Sequence, residues 1–83
     1  MKKVKLYSTP TCGYCVQLKD WFRERNIEYQ EFNVQIDDEA RDFIIRKSGQ
    51  MGVPVTIISD GDEDDGQLVL GFDTEKISNL LGI

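Results

Sequence analysis

"VKLYSTPTCGYC", residues 4–15, decides how the rest of the chain is read. Val4 and Leu6 alternate with polar neighbours, as a strand with one well-buried face does. Pro10 then breaks regular structure. From Gly13 to about Arg25 the apolar positions Cys15, Leu18, Trp21 and Phe22 fall three and four apart, which predicts a helix. The strand and the helix meet at two cysteines, Cys12 and Cys15, the only two in the chain.

Outward from that junction the pattern keeps alternating. "IEYQEFNV", residues 27–34, reads as a second strand, with Tyr29 and Glu31 out of step with Phe32 and Val34. Ile36, Ala40, Phe43 and Ile44 recur at helical spacing, Asp37 and Asp38 suit the positive end of that helix's dipole, and Gly49 is its expected stop. "VPVTIIS", residues 53–59, is β-branched and apolar, as a strand buried on both faces would be. "DGDEDDG" reads as a turn, "QLVLG" as a short returning strand, and Ile77, Leu80 and Leu81 mark a last helix. The expected order is β-α-β-α-β-β-α in a single α/β domain over residues 1–83, with the last two strands paired as an antiparallel hairpin.

Eighty-three residues with 40% hydrophobic content supply one modest core and no second one. No stretch approaches the roughly 20 apolar residues of a membrane span, and the segment after Met1 is too short and too charged for a secretory signal. A soluble, cytoplasmic protein without a membrane partner is the expectation, and nothing asks for more than a monomer. A net charge of −5 argues against nucleic acid as a partner, since a phosphate backbone would repel the chain.

The Cys-x-x-Cys spacing has several chemical readings. Zinc wants four ligands, and two cysteines with no histidine leave the set incomplete, so no metal is expected. Haem attachment needs a histidine where Val16 stands. A structural disulfide closing so short a loop removes little unfolded-state entropy, and reducing cytosol would not maintain it. Redox exchange fits better. Cys12 lies at the helix N-terminus, where unpaired backbone N–H groups stabilise a thiolate. Cys15, one turn further in, is placed to attack a disulfide on Cys12. Cys12 is therefore the expected attacking thiol and Cys15 the resolving one. The lack of histidine also disposes of a Cys–His hydrolase.

A second feature is "GVPVT", residues 52–56. Proline cannot donate to a sheet ladder, so Pro54 at the head of an interior strand needs an explanation. A cis Val53–Pro54 bond would leave the Val53 backbone groups free for an extended substrate to pair with. A trans proline at a strand start is the plainer alternative. The cysteine pair in the same small β/α domain favours the former.

"VKLYSTPTCGYC", "GVPVTII" and "LVLGFDTEKISNLL" together resemble the glutaredoxin branch of the thioredoxin superfamily, nearly end to end from Val4 to Leu81. The resemblance implies a thioredoxin-like four-stranded mixed sheet with the cysteine loop and a cis-proline loop side by side. It also implies thiol–disulfide exchange on disulfide-containing client proteins, with Cys12 as nucleophile and a substrate surface drawn from Thr11, Tyr14, Val53, Pro54, Phe72 and Asp73. No bound cofactor is implied. Reducing equivalents would come from NADPH through thioredoxin reductase, or from glutathione.

The departures bear on which. Glutathione-using members commonly carry a lysine where Thr9 stands, and a Gly-Gly pair where this chain has Gly71-Phe72. A ring at Phe72 should crowd a backbone-bound carboxylate. Asp73 keeps one part of that pattern and also reads as the N-cap of the last helix. The Gly-Phe pair looks more like the NrdH-type redoxins, electron donors of ribonucleotide reductase that thioredoxin reductase reduces. Gly13 departs from the common Cys-Pro-Tyr-Cys. The buried aspartate that thioredoxins place six residues before the nucleophile is Leu6 here, which leaves Lys19 or water as the visible acid–base helper.

Of the remaining residues, Tyr14 is expected to be exposed and Tyr7 to be able to join the core, with Trp21 as half-buried packing. "DGDEDDG" fails the calcium-loop pattern, because Asp65 falls where glycine is required and Gly71 where glutamate is. A solvated hairpin tip is the expectation there. Two alternatives remain beside a thioredoxin-reductase-linked oxidoreductase: an ordinary glutathione-dependent glutaredoxin, and a glutathione-ligated iron–sulfur carrier, against which Phe72 counts. A redox-inactive module that keeps only the fold is the least consistent with two intact motif cysteines.

Overall fold

The computed structural model describes residues 2–49, 52–60 and 66–83. The elements are β1 (Lys2–Ser8), α1 (Gly13–Glu24), β2 (Gln30–Asn33), α2 (Asp38–Ser48), β3 (Val55–Asp60), β4 (Gln67–Leu70) and α3 (Thr74–Leu81), in the expected order. The strands form one mixed sheet in the order β2-β1-β3-β4. β1 runs parallel to β2, with Leu6 opposite Glu31 and Ser8 opposite Asn33. It is antiparallel to β3, which in turn pairs antiparallel with β4. The hairpin segment 61–65, expected to be a solvated turn, lies outside the described residues.

Alternation along the strands sorts side chains into two layers. Val4, Leu6, Ile58 and Val69 pack under Leu18 and Phe22 of α1 and Ile77 of α3. Tyr7, Val55 and Ile57 point the other way, against Ala40 and Ile44 of α2. The sheet is thus covered on both sides, and β3 is buried along Val55–Ser59, as its β-branched run requires. β1 departs from the one-sided burial expected of it: Leu6, Tyr7 and Ser8 are all buried in succession, because α2 closes the second face at that end. Tyr7 belongs to this second layer, stacked on Phe32 with ring centroids 4.8 Å apart. Trp21 is half-buried, with the Arg25 guanidinium 5.0 Å from its ring centre.

Two sequence expectations are corrected. The second strand starts at Gln30, not Ile27. Asn26 adopts a left-handed φ of 57° and the Ile27 N–H donates to the Phe22 carbonyl at 2.9 Å, so residues 26–29 close α1 before the ladder begins. Ile36 is not on the apolar face of α2. It is 80% exposed in a turn whose amides at Ile36 and Asp37 both bond the Asn33 carbonyl. α2 begins after Asp37, whose carboxylate accepts from the Ala40 N–H at 3.1 Å, and it ends at Gly49 with a left-handed φ of 73°.

Candidate active site

Cys12 is the N-cap of α1. Its backbone is extended (φ −87°, ψ 113°), and its Sγ accepts a hydrogen bond from the Cys15 N–H at 3.2 Å. An N-cap side chain normally satisfies one of the orphan amides of the first turn; here the acceptor is the sulfur itself. The Thr9 carbonyl, accepting from the Cys12 N–H at 3.3 Å, holds the loop in place. Cys12 is partly accessible, whereas Cys15 is 0% exposed beneath the first turn of the helix. Both are free thiols in this structure.

Burial pushes the Cys15 thiol up to about 12, with the hydrogen bond to Cys12 adding to the rise. A backbone hydrogen bond at Thr9 and the charge of Lys19 pull the other way. One sulfur is therefore partly accessible, and the other is shielded and favoured in its thiol form.

The Val53–Pro54 bond is cis. The Val53 carbonyl lies 3.7 Å from Cys12 Sγ, where it accepts from the thiol. The two loops singled out in the sequence, 41 residues apart, thus meet at one sulfur. Pro54 is buried at the head of β3, and its carbonyl accepts from the Gly71 N–H at 2.9 Å. That bond draws the turn after β4 to the same end of the sheet. Gly71 takes a left-handed φ of 75°, a conformation that glycine adopts readily. Phe72 follows it, 41% exposed, with its ring centroid 6.4 Å from that of Tyr14, itself 63% exposed. Thr11 is exposed in the loop before Cys12. Asp73 caps α3, its carboxylate accepting from the Lys76 N–H at 3.1 Å. A groove of about 270 Å³ among Lys2, Lys3, Glu28 and Tyr29 opens at the other end of β1 and takes no part in this arrangement.

Lys19, named from the sequence, has partners that the sequence did not mark. Glu31 on β2 accepts from the Ser8 hydroxyl at 2.8 Å and from Lys19 Nζ at 2.9 Å. The hydrogen bond from Lys19, with that from Ser8, holds the Glu31 carboxyl below its usual range, and the same bond to Glu31 raises Lys19. Glu31 lies opposite Leu6 across the parallel pair, a placement set by the β1–β2 register. Among the described residues no group of three or more His, Cys, Asp or Glu side chains is arranged to hold a metal ion, and no helix is long and apolar enough to cross a membrane.

Known proteins resemble this chain over most of its length. The glutaredoxin family model matches residues 4–62. A glutaredoxin-like 8.6 kDa protein of the Clostridium pasteurianum rubredoxin operon is 36% identical over 78 residues, spanning 94% of this chain and 96% of the relative. Among solved structures, a point mutant of the thioredoxin-like protein BC3987 superposes with a TM-score of 0.84 at 35% identity, over 100% of this chain and 99% of that one. The glutaredoxin-like NrdH-redoxin from Escherichia coli superposes with a TM-score of 0.73 at 24% identity, over 94% and 93% of the two chains, and shares the fold.

Proposed function

The chain belongs to the glutaredoxin family and is a thiol–disulfide oxidoreductase in the general sense, and from that premise we propose that it is a dithiol reductant of protein disulfides, reset by thioredoxin reductase. The observation that carries the dithiol mechanism is the pairing of an accessible sulfur at a helix N-cap with a fully buried one a turn behind it. In the first step the Cys12 thiolate attacks a client disulfide. The client's distal sulfur leaves, and a mixed disulfide forms on Cys12. Loss of the Cys12 proton also frees the Val53 carbonyl from its sulfur contact, so that it can accept a backbone N–H from an extended client segment. Tyr14 and Phe72 offer that segment an aromatic flank, with Thr11 and Pro54 at its margins. Cys15 then attacks Cys12 Sγ, closing the Cys12–Cys15 disulfide and releasing reduced client.

The choice of reductant rests on Phe72. A glutathione carboxylate held by backbone amides needs a close approach, and the ring occupies the place of the second glycine. Thr9, in place of a lysine, removes a cation from the same neighbourhood. A protein reductase needs neither. The test supplies the oxidised protein with NADPH and thioredoxin reductase, or with NADPH, glutathione reductase and glutathione, and follows NADPH loss. Rapid turnover with the first system only is expected. Rapid turnover with glutathione overturns the assignment of reductant and leaves an ordinary glutathione-dependent glutaredoxin.

A further inference from the structure

The resolving step has an unmet electrostatic requirement. Cys15 attacks as a thiolate, yet its burial favours the thiol. The groups that bear on Cys15 are Cys12 at the N-cap of α1, Lys19 in the middle of α1 and a backbone hydrogen bond at Thr9. Lys19 is the one charged side chain among them. It sits four residues after Cys15, on the same face of α1, where such pairs are about 5–6 Å apart at Cβ.

Lysine side chains on a helix ordinarily wander in solvent. Lys19 does not: its side chain is 22% exposed, and Glu31 on β2 receives Nζ at 2.9 Å. Tyr29, just before β2, also bears on it. Glu31 is fixed in turn by the Ser8 hydroxyl, from a buried residue of β1. The anchor thus runs from the central strand, through the edge strand, to the helix that carries both cysteines. Thr56, opposite Leu6 on β3, adds a buried hydroxyl that has no hydrogen-bond partner among the described residues and lies on the same face of the sheet.

We infer that Ser8 and Glu31 are positioning residues that hold the Lys19 ammonium beside Cys15, where its charge stabilises the thiolate formed in the resolving step. The inference rests on the dithiol reading above. Cys15 loses its proton to solvent and attacks Cys12 Sγ of the mixed disulfide. The Cys12–Cys15 bond forms and the Cys12–client bond breaks. The electron pair of the broken bond leaves on the client sulfur, which takes up a proton in place of the one Cys15 gave up. Cys12 and Cys15 end oxidised and the client reduced. Lys19 keeps its proton throughout; Glu31 keeps it charged and in place.

The test is stopped-flow reaction of the reduced protein with an aromatic disulfide whose thiolate is coloured. A first burst reports attack by Cys12 and a second reports resolution by Cys15. Lys19→Gln should leave the first phase in place and slow the second about tenfold at neutral pH, as expected of a unit charge acting through a medium of intermediate dielectric. It should also move the second phase's pH profile to higher pH. Lys19→Arg should restore both. The exchange Lys19→Glu with Glu31→Lys keeps a bridge between α1 and β2 but puts a carboxylate beside Cys15, and it should resolve at least as slowly as Lys19→Gln. A second phase at wild-type rate in Lys19→Gln, or in the charge-exchanged protein, overturns the inference and leaves a structural cross-link. Wild-type protein with no second phase overturns the dithiol reading itself, and this inference with it.

Discussion

Titrating the reduced protein above pH 9 removes stability that Cys15 supplies. Burial first, and then the Cys12 sulfur beside it, raise its ionisation from an ordinary 9.0 to about 12, so the unfolded chain ionises there first. A group whose folded value lies above its unfolded one stabilises the fold fully below the unfolded value and loses that contribution as pH rises toward the folded value. The displacement amounts to about 4 kcal/mol across the whole window, at 1.36 kcal/mol per pH unit. By pH 10.5 the loss is about 2 kcal/mol, a substantial share of the roughly 5–10 kcal/mol that holds a domain of this size. The assay is urea unfolding of the reduced protein at a series of pH values, beside Cys15→Ala. That substitution removes the buried thiol and serves as the reference for every other change with pH. The wild-type free energy should fall more steeply than that of Cys15→Ala above pH 9. Parallel curves across this range would refute the buried-thiol argument, and with it the division of labour between the two sulfurs.

Three further outcomes follow from named contacts. Gly13→Pro should be tolerated and should raise the stability of the reduced protein by about 0.5–1 kcal/mol, because position 13 is the first residue of α1, Cys12 before it is already extended, and a Cβ at position 13 would meet nothing within 4 Å; thermal unfolding measures it. Glu31→Gln should cost about 0.5 kcal/mol at neutral pH, as expected of a partly exposed pair. Since the folded Glu31 value is depressed, that difference should be present above the ordinary glutamate range and vanish as pH falls through the depressed value, which acid titration of both proteins would show. Phe72→Gly should open the turn after β4 to glutathione and raise glutathione-linked turnover several-fold, with little change in stability because the ring is 41% exposed; steady-state NADPH oxidation reports it.

What the sequence made legible was whatever local chemistry writes plainly. Cys12 and Cys15 at the start of a helical period locate α1 and its N-cap sulfur. Pro54 ahead of a β-branched run marks β3 and the loop before it, and Gly49 writes the end of α2. The misses arose where geometry overrides pattern. Ile36 kept helical spacing with Ala40 by coincidence, and the Asn33 carbonyl turned the chain before α2 could include it. The left-handed Asn26 shortened β2, a conformation no periodicity reveals. The bridge from Lys19 to Glu31 joins residues 12 apart, and depends on the register that sets Glu31 opposite Leu6. Neither side chain has a local signal of that pairing.

In the proposed mechanism Cys12 attacks and Cys15 resolves. Mass spectrometry after mixing reduced Cys15→Ser or Cys12→Ser protein with a disulfide-bonded client tests it most directly. A stable mixed disulfide on Cys12 is expected in Cys15→Ser, and no client adduct in Cys12→Ser. A client adduct on Cys15 in Cys12→Ser, or none in Cys15→Ser, would contradict it.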